Sequence, residues 1–280
     1  MDKAKKVVLV PWDFTNGSEI ALKHALQLAE VAGNEILLLH LIPKVWWNFS
    51  NKPQVNMEEM EQLKRKLEEV ADRVSKEHKF NPISMVLEGN PITILKELIT
   101  TANINLIVAH SSYLYNKKKY NTSMFFRKLT VKNIAVPFII TESPPLHTHY
   151  IEIVVPMDYD KKYKETLHWI IYLSKYYKCN INLIKPYISD EGKKKNMANN
   201  IYFTKKMLDG NKIVYGIKTA KRKNVFTDEV FKFANNIDAD LILIMADKYP
   251  DYIKELEGSE PSRIPIMCIT PRKRRYQSFS

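Results

Sequence analysis

The chain has 280 residues, 45% of them hydrophobic and 26% charged, with a formal net charge of +12. Those are globular proportions, which exclude wholesale disorder, and the length suits one large domain or two of about 140 residues at the usual ~100–200 per domain. Two cysteines, Cys179 and Cys268, exclude a disulfide framework.

The N-terminus carries Lys3, Lys5 and Lys6 ahead of a short apolar run that Asp13 interrupts. That is not the pattern of a signal peptide, and no apolar stretch approaches the ~18 residues of a transmembrane helix. The expected location is the cytoplasm, with no membrane association.

In chain order, Lys6–Pro11 reads as a buried strand, because it is rich in Val and Leu. A polar turn at 15–18 follows, with Ser18 the expected N-cap. Ile20, Leu22, Ala25, Leu26, Leu28 and Ala29 give helical spacing, which Gly33 ends. Glu35–Ile42 is the next strand and Met57–Lys79 a long charged helix. Strands are then predicted at 83–87, 106–109 and 136–140. Pro91 opens one helix between them, and Ser123–Val131 forms another.

The pattern recurs. Val7–Asp13 (VVLVPWD) resembles Glu152–Asp158 (EIVVPMD), so Pro11 maps to Pro156 and Asp13 to Asp158. At the same offset Leu22 meets Leu167 and Ile36 meets Ile181. Later, 103–111 resembles 238–246, and 136–141 resembles 264–270. So long a period indicates two complete domains. The second copy is expected to place strands near 151–156, 180–185, 212–218, 240–245 and 265–269. Its helices fall around 194–209 and 225–237; its last helix is doubtful, because Pro250 and Pro261 interrupt the segment. The expected domains are 1–143 and 150–272, followed by a basic tail at 273–280. Alternating strands and helices imply parallel sheets in an α/β fold.

In such a sheet ligands bind beyond the carboxyl ends of the strands, at the switch point. Here that means Asp13, Phe14 and Thr15 with His110, Ser111 and Ser112; the second copy offers Asp158 and Tyr159 with Ala246, Asp247 and Lys248. Asp13 has a simpler role as a cap on the following turn. His110 beside Ser111 invites a nucleophile–base reading, but neighbours in a strand face opposite ways. His147 and His149 flank one residue in the linker, a weak metal pattern, and His40 reads as a packed side chain. Trp46, Trp47 and Phe49 can line a cleft or pack a loop. No catalytic set converges, so an enzyme is not expected.

The segments 10–29 (VPWDFTNGSEIALKHALQLA), 88–95 (EGNPITIL), 104–111 (INLIVAHS) and 136–141 (VPFIIT) together resemble the universal stress protein family. The resemblance covers residues 5–141 and, more weakly, 151–271. It implies two tandem Rossmann-like domains, each a five-stranded parallel sheet in the order 3-2-1-4-5. Family members that bind ATP carry a G-x2-G-x9-G-[ST] loop after the fourth strand, where backbone amides beside the glycines hold phosphates. This chain departs from that loop: His110 and Tyr113 stand near the first two glycine positions, Thr122 and Ser123 near the last pair, and no glycine occurs between Gly89 and Gly192. If ATP or AMP binds, the residues implied are Asp13, Thr15, His110 and Ser123; otherwise no cofactor is expected. The family also pairs through its fifth strand. That implies an interface from Val136, Phe138 and Ile140 with Ile266 and Cys268, formed within the chain, with a homodimer as a further option.

The resemblance implies a non-catalytic stress-response scaffold or regulator. The alternatives are an adenine-nucleotide sensor and a binder of acidic partners through basic runs such as Lys117–Lys119 and Arg272–Arg275, with nucleic acid the lesser option.

Overall fold

The structure is a computed structural model that describes residues 5–42, 57–112, 136–221, 225–256 and 262–270. The chain divides into two compact units, Met1–Leu129 with Phe138–Pro145 and Thr130–Pro137 with Leu146–Ser280. The predicted helix at 123–131, the tryptophans at 46–47, Phe49, Lys117–Lys119 and the basic tail lie outside the described residues.

The first unit runs β1 (Val7–Pro11), α1 (Asn16–Ala32), β2 (Glu35–Ile42), α2 (Met57–Glu77), β3 (Ile83–Glu88), α3 (Pro91–Thr101), β4 (Ile104–His110) and β5 (Phe138–Thr141). All its strand pairs are parallel, in the order β3-β2-β1-β4-β5. β1 lies between β2 and β4, so both its edges are paired, and Val8, Leu9 and Val10 have no exposed surface, so both its faces are covered as well. That is why β1 reads as an unbroken apolar run. β3 is half-exposed, and Ile83 keeps 45% of its surface open. In α2 the buried residues are Leu67, Ala71 and Val74, one stripe at helical spacing, while the charged residues face outward.

The helix caps follow local chemistry. Asn90 accepts from the amides of Ile92 and Thr93 at the start of α3, and Pro91 occupies the first turn, where its missing N–H costs nothing. α1 corrects the expectation for Ser18. Thr15 holds the extended N-cap position, and Ser18 lies inside the helix with its hydroxyl turned back to Asp13.

The second unit repeats the plan. It contains β6 (Glu152–Pro156), a 3-10 turn (Lys161–Glu165), α4 (Thr166–Tyr177), β7 (Asn180–Lys185), α5 (Glu191–Gly210), β8 (Tyr215–Thr219), α6 (Phe226–Asn236), β9 (Leu241–Met245), a second 3-10 turn (Ala246–Lys248), α7 (Tyr249–Leu256) and β10 (Ile266–Ile269). Its parallel order is β8-β7-β6-β9-β10. Each unit therefore has the 3-2-1-4-5 arrangement. The doubtful last helix exists as α7. Pro250 is its second residue, where proline fits a helix without removing a bond.

Candidate functional site

The strand order reverses at β1 and β4 in the first unit, so the crevice beyond their carboxyl ends is where a ligand would sit. Asp13 stands there. Its Oδ1 accepts from the Thr15 amide at 3.0 Å, the Thr15 hydroxyl at 2.5 Å and the Ser18 hydroxyl at 2.6 Å. Ser18 Oγ in turn accepts from the Asp13 amide at 3.0 Å. The carboxylate thus closes the turn that joins β1 to α1, as the cap reading of the sequence expected. Phe14 takes a left-handed φ of 60°, costly for a bulky side chain. Its ring lies 4.9 Å from that of His40.

His40, at the end of β2, has Nδ1 2.7 Å from the Trp12 carbonyl, so Nδ1 carries the proton and donates. Burial holds its pKa below the ordinary histidine value, against the opposing pull of the Trp12 carbonyl and the Asp13 carboxylate. It is a packed, neutral histidine at pH 7.

His110 ends β4. Its partner is Ser112, not the neighbouring Ser111: the Ser112 amide donates to Nδ1 at 3.1 Å, and Ser112 Oγ lies 2.7 Å from the same atom. Nδ1 is therefore the accepting nitrogen, which leaves Nε2–H to donate to the Glu142 carbonyl at 3.3 Å. The ring packs on the first turn of α1, where Gly17 lies against it. The structure thus brings Asp13, Thr15 and His110 to one end of the sheet, while Ser123 is outside the described residues. Val136, Phe138 and Ile140 lie in or beside β5, and Ile266 and Cys268 lie in β10, each the final strand of its own unit's order.

Asp158 takes the place of Asp13 in the second unit and is held differently. One oxygen accepts from the Asp160 amide at 3.0 Å, and the other lies 3.0 Å from Lys248 Nζ. Partial burial works against the charge on Lys248, but the Asp158 carboxylate outweighs it and raises the pKa above the usual lysine value. Buried Asn200 donates to the carbonyls of Asp158 and Asp160, which fixes the loop after β6. A cavity of about 460 Å3 opens beside this ion pair. The sequence places Asp158, Tyr159 and Lys248 at this switch point; it does not reveal the walls that Val225, Phe226 and Tyr252 add.

His147 is not poised for a metal. It meets the buried carboxylate of Asp240 at 2.7 Å, and the other Asp240 oxygen accepts from the amides of Ile151 and Glu152. Among the described residues no three His, Cys, Asp or Glu side chains are grouped to hold a metal ion, and no helix is long and apolar enough to cross a membrane.

Residues 5–118 match the model of the universal stress protein family. The first unit is a universal stress protein domain. Similar solved structures extend the likeness of fold across both units. A universal stress protein from Archaeoglobus fulgidus DSM 4304 is 13% identical, with a TM-score of 0.67, over 95% of this chain and 97% of that one. A functionally unknown protein from Pseudomonas aeruginosa PAO1 is 14% identical, with a TM-score of 0.62, over 96% of this chain and 93% of that one. No curated protein sequence matches the chain. At such identities the likeness is one of fold alone.

Proposed function

We propose that this chain is a non-catalytic scaffold or regulator of the stress response, built from two universal stress protein-like units. The observation that carries the reading is how the polar groups at the strand ends are used. Asp13 binds its own turn, His110 binds Ser112 and the Glu142 carbonyl, and Asp158 binds Lys248. A nucleophile needs a base within reach and a third group to orient that base. Here His110 Nδ1 is shared between the amide and the hydroxyl of Ser112 in a local turn, and Nε2 faces the Glu142 carbonyl, a neutral acceptor rather than a carboxylate.

A second reading is an adenine-nucleotide sensor, with ATP or AMP held in the first unit against Asp13, Thr15 and His110. The family match over 5–118 and the switch-point position of those residues favour it. One experiment separates the two. Purified protein is denatured, its supernatant is analysed for adenine nucleotide, and fresh protein is titrated calorimetrically with ATP and AMP. An empty protein with no heat of binding supports the scaffold. Retained nucleotide, or heat that Asp13→Ala abolishes, makes the sensor the function.

A further inference from the structure

The cavity of the second unit lies beyond the carboxyl ends of β6 and β9, which is that unit's switch point. Its volume of about 460 Å3 is that of a small-molecule site. Four aromatic side chains wall it: Tyr163 from the first 3-10 turn, and three others from separate elements. Tyr159 comes from the loop after β6, Phe226 from the first turn of α6 and Tyr252 from α7. Met157, Ile244 and Met245 add apolar surface from the strand ends.

The walls are held in place. Asn200 pins the loop that carries Tyr159, and Lys193 Nζ lies 5.2 Å from the centre of the Tyr159 ring. Tyr252 is buried and meets Phe231 edge to face at 5.8 Å. Such preorganisation lowers the cost of ordering a site around a ligand.

The charges select against phosphate. Among the described residues that line the cavity, the charged groups are Asp158, Asp251 and Lys248, a net charge of −1. Lys248 is the cation of that set, and it already lies 3.0 Å from Asp158. A phosphate chain would have to break that pair and then sit beside two carboxylates, a repulsive arrangement in a partly buried site. The segment after β9 holds no glycine through Leu256, so it lacks a glycine-rich loop that would let a phosphate chain approach the backbone closely.

We infer that this cavity is a binding site for a flat, largely apolar small molecule that carries no phosphate chain, stacked among Tyr159, Phe226 and Tyr252. The two units then differ in use, because the carboxylate that accepts from the amide two residues on in both units also pairs with a lysine in the wall of a ligand cavity in the second.

The test uses the full chain and the neutral fluorescent probe N-phenyl-1-naphthylamine. The expected result is saturable enhancement at one site per chain that ATP does not displace. Val225 lies on the cavity wall and is exposed, so Val225→Trp occludes the cavity without burdening the core. That variant and Phe226→Ala should each weaken probe binding by about tenfold or more, as expected for lost contact with one large side chain. Circular dichroism melting shows that each variant is folded. Absence of saturable binding, displacement of the probe by ATP, or unchanged affinity in a folded Val225→Trp protein would each overturn the assignment. None of these outcomes bears on nucleotide in the first unit, which Asp13→Ala reports separately.

Discussion

Gly17 lies where one added methyl group would stand 2.7 Å from Nδ1 and 2.8 Å from Cγ of His110. The first turn of α1 and the end of β4 are in contact at the limit of atomic size, and glycine is what that contact requires.

A sign reversal follows. In an open helix, Gly→Ala stabilises by roughly 0.5–1 kcal/mol. In the intact chain Gly17→Ala should instead destabilise by about 1–3 kcal/mol, because the ring must move and lose its bonds to Ser112. With His110→Ala already in place, the same change should stabilise. Urea unfolding of the four proteins in the cycle checks this; additive effects would mean the contact carries no energy.

Asp13→Ala removes the acceptor for the Thr15 amide and for two hydroxyls. The expected loss is about 1–2 kcal/mol, that of a cap, with or without added nucleotide. If ATP raises the melting temperature of the parent chain and not that of the variant, the carboxylate also serves a ligand.

Asp240 is buried and serves the Ile151 amide, the Glu152 amide and His147. Asp240→Ala leaves two amides at the start of β6 without that acceptor and should cost about 2–4 kcal/mol. Denaturant midpoints measure it. His147→Ala should cost less, because those amides keep their carboxylate.

Stability should fall on both sides of neutrality. Burial pushes the Cys179 thiol up to about 11 and raises Cys268, Tyr150, Tyr163, Tyr177 and Tyr252 as well. Each of these groups keeps its proton in the folded chain to a higher pH than in the unfolded chain. Their contribution is therefore complete below the unfolded values and declines as pH rises above about 9. His40 behaves in the opposite way. Its folded pKa is depressed, so its contribution is present above about pH 6.5 and is lost as pH falls. Urea midpoints between pH 5 and 10.5 should trace a plateau with two falling edges.

Much of the fold is legible in the sequence because hydrophobic runs and their spacing record burial directly. Val7–Pro11 is a strand flanked on both sides and reads as one, and the repeat at Glu152–Pro156 doubles the signal. The misreadings are local. Ser18 has the chemistry of a cap, yet Thr15 holds the cap position because Asp13 draws the Ser18 hydroxyl backward. Pro250 looks like a breaker until its place in the first turn of α7 is known. Of the candidate site, Asp13 and Asp158 could be found from the repeat. The sequence also groups Asp158 with Lys248 at one switch point, but does not show their ion pair or the cavity beside it, since a hydrophobic pattern does not record how far a side chain reaches.

The bonds of Asp240 set where the chain can be divided. His147 stands before β6 in sequence, but its ring is tied to a carboxylate at the entrance to β9. A second half expressed alone must begin upstream of His147, because a cut after it would start the polypeptide inside its own fold rather than between two folds.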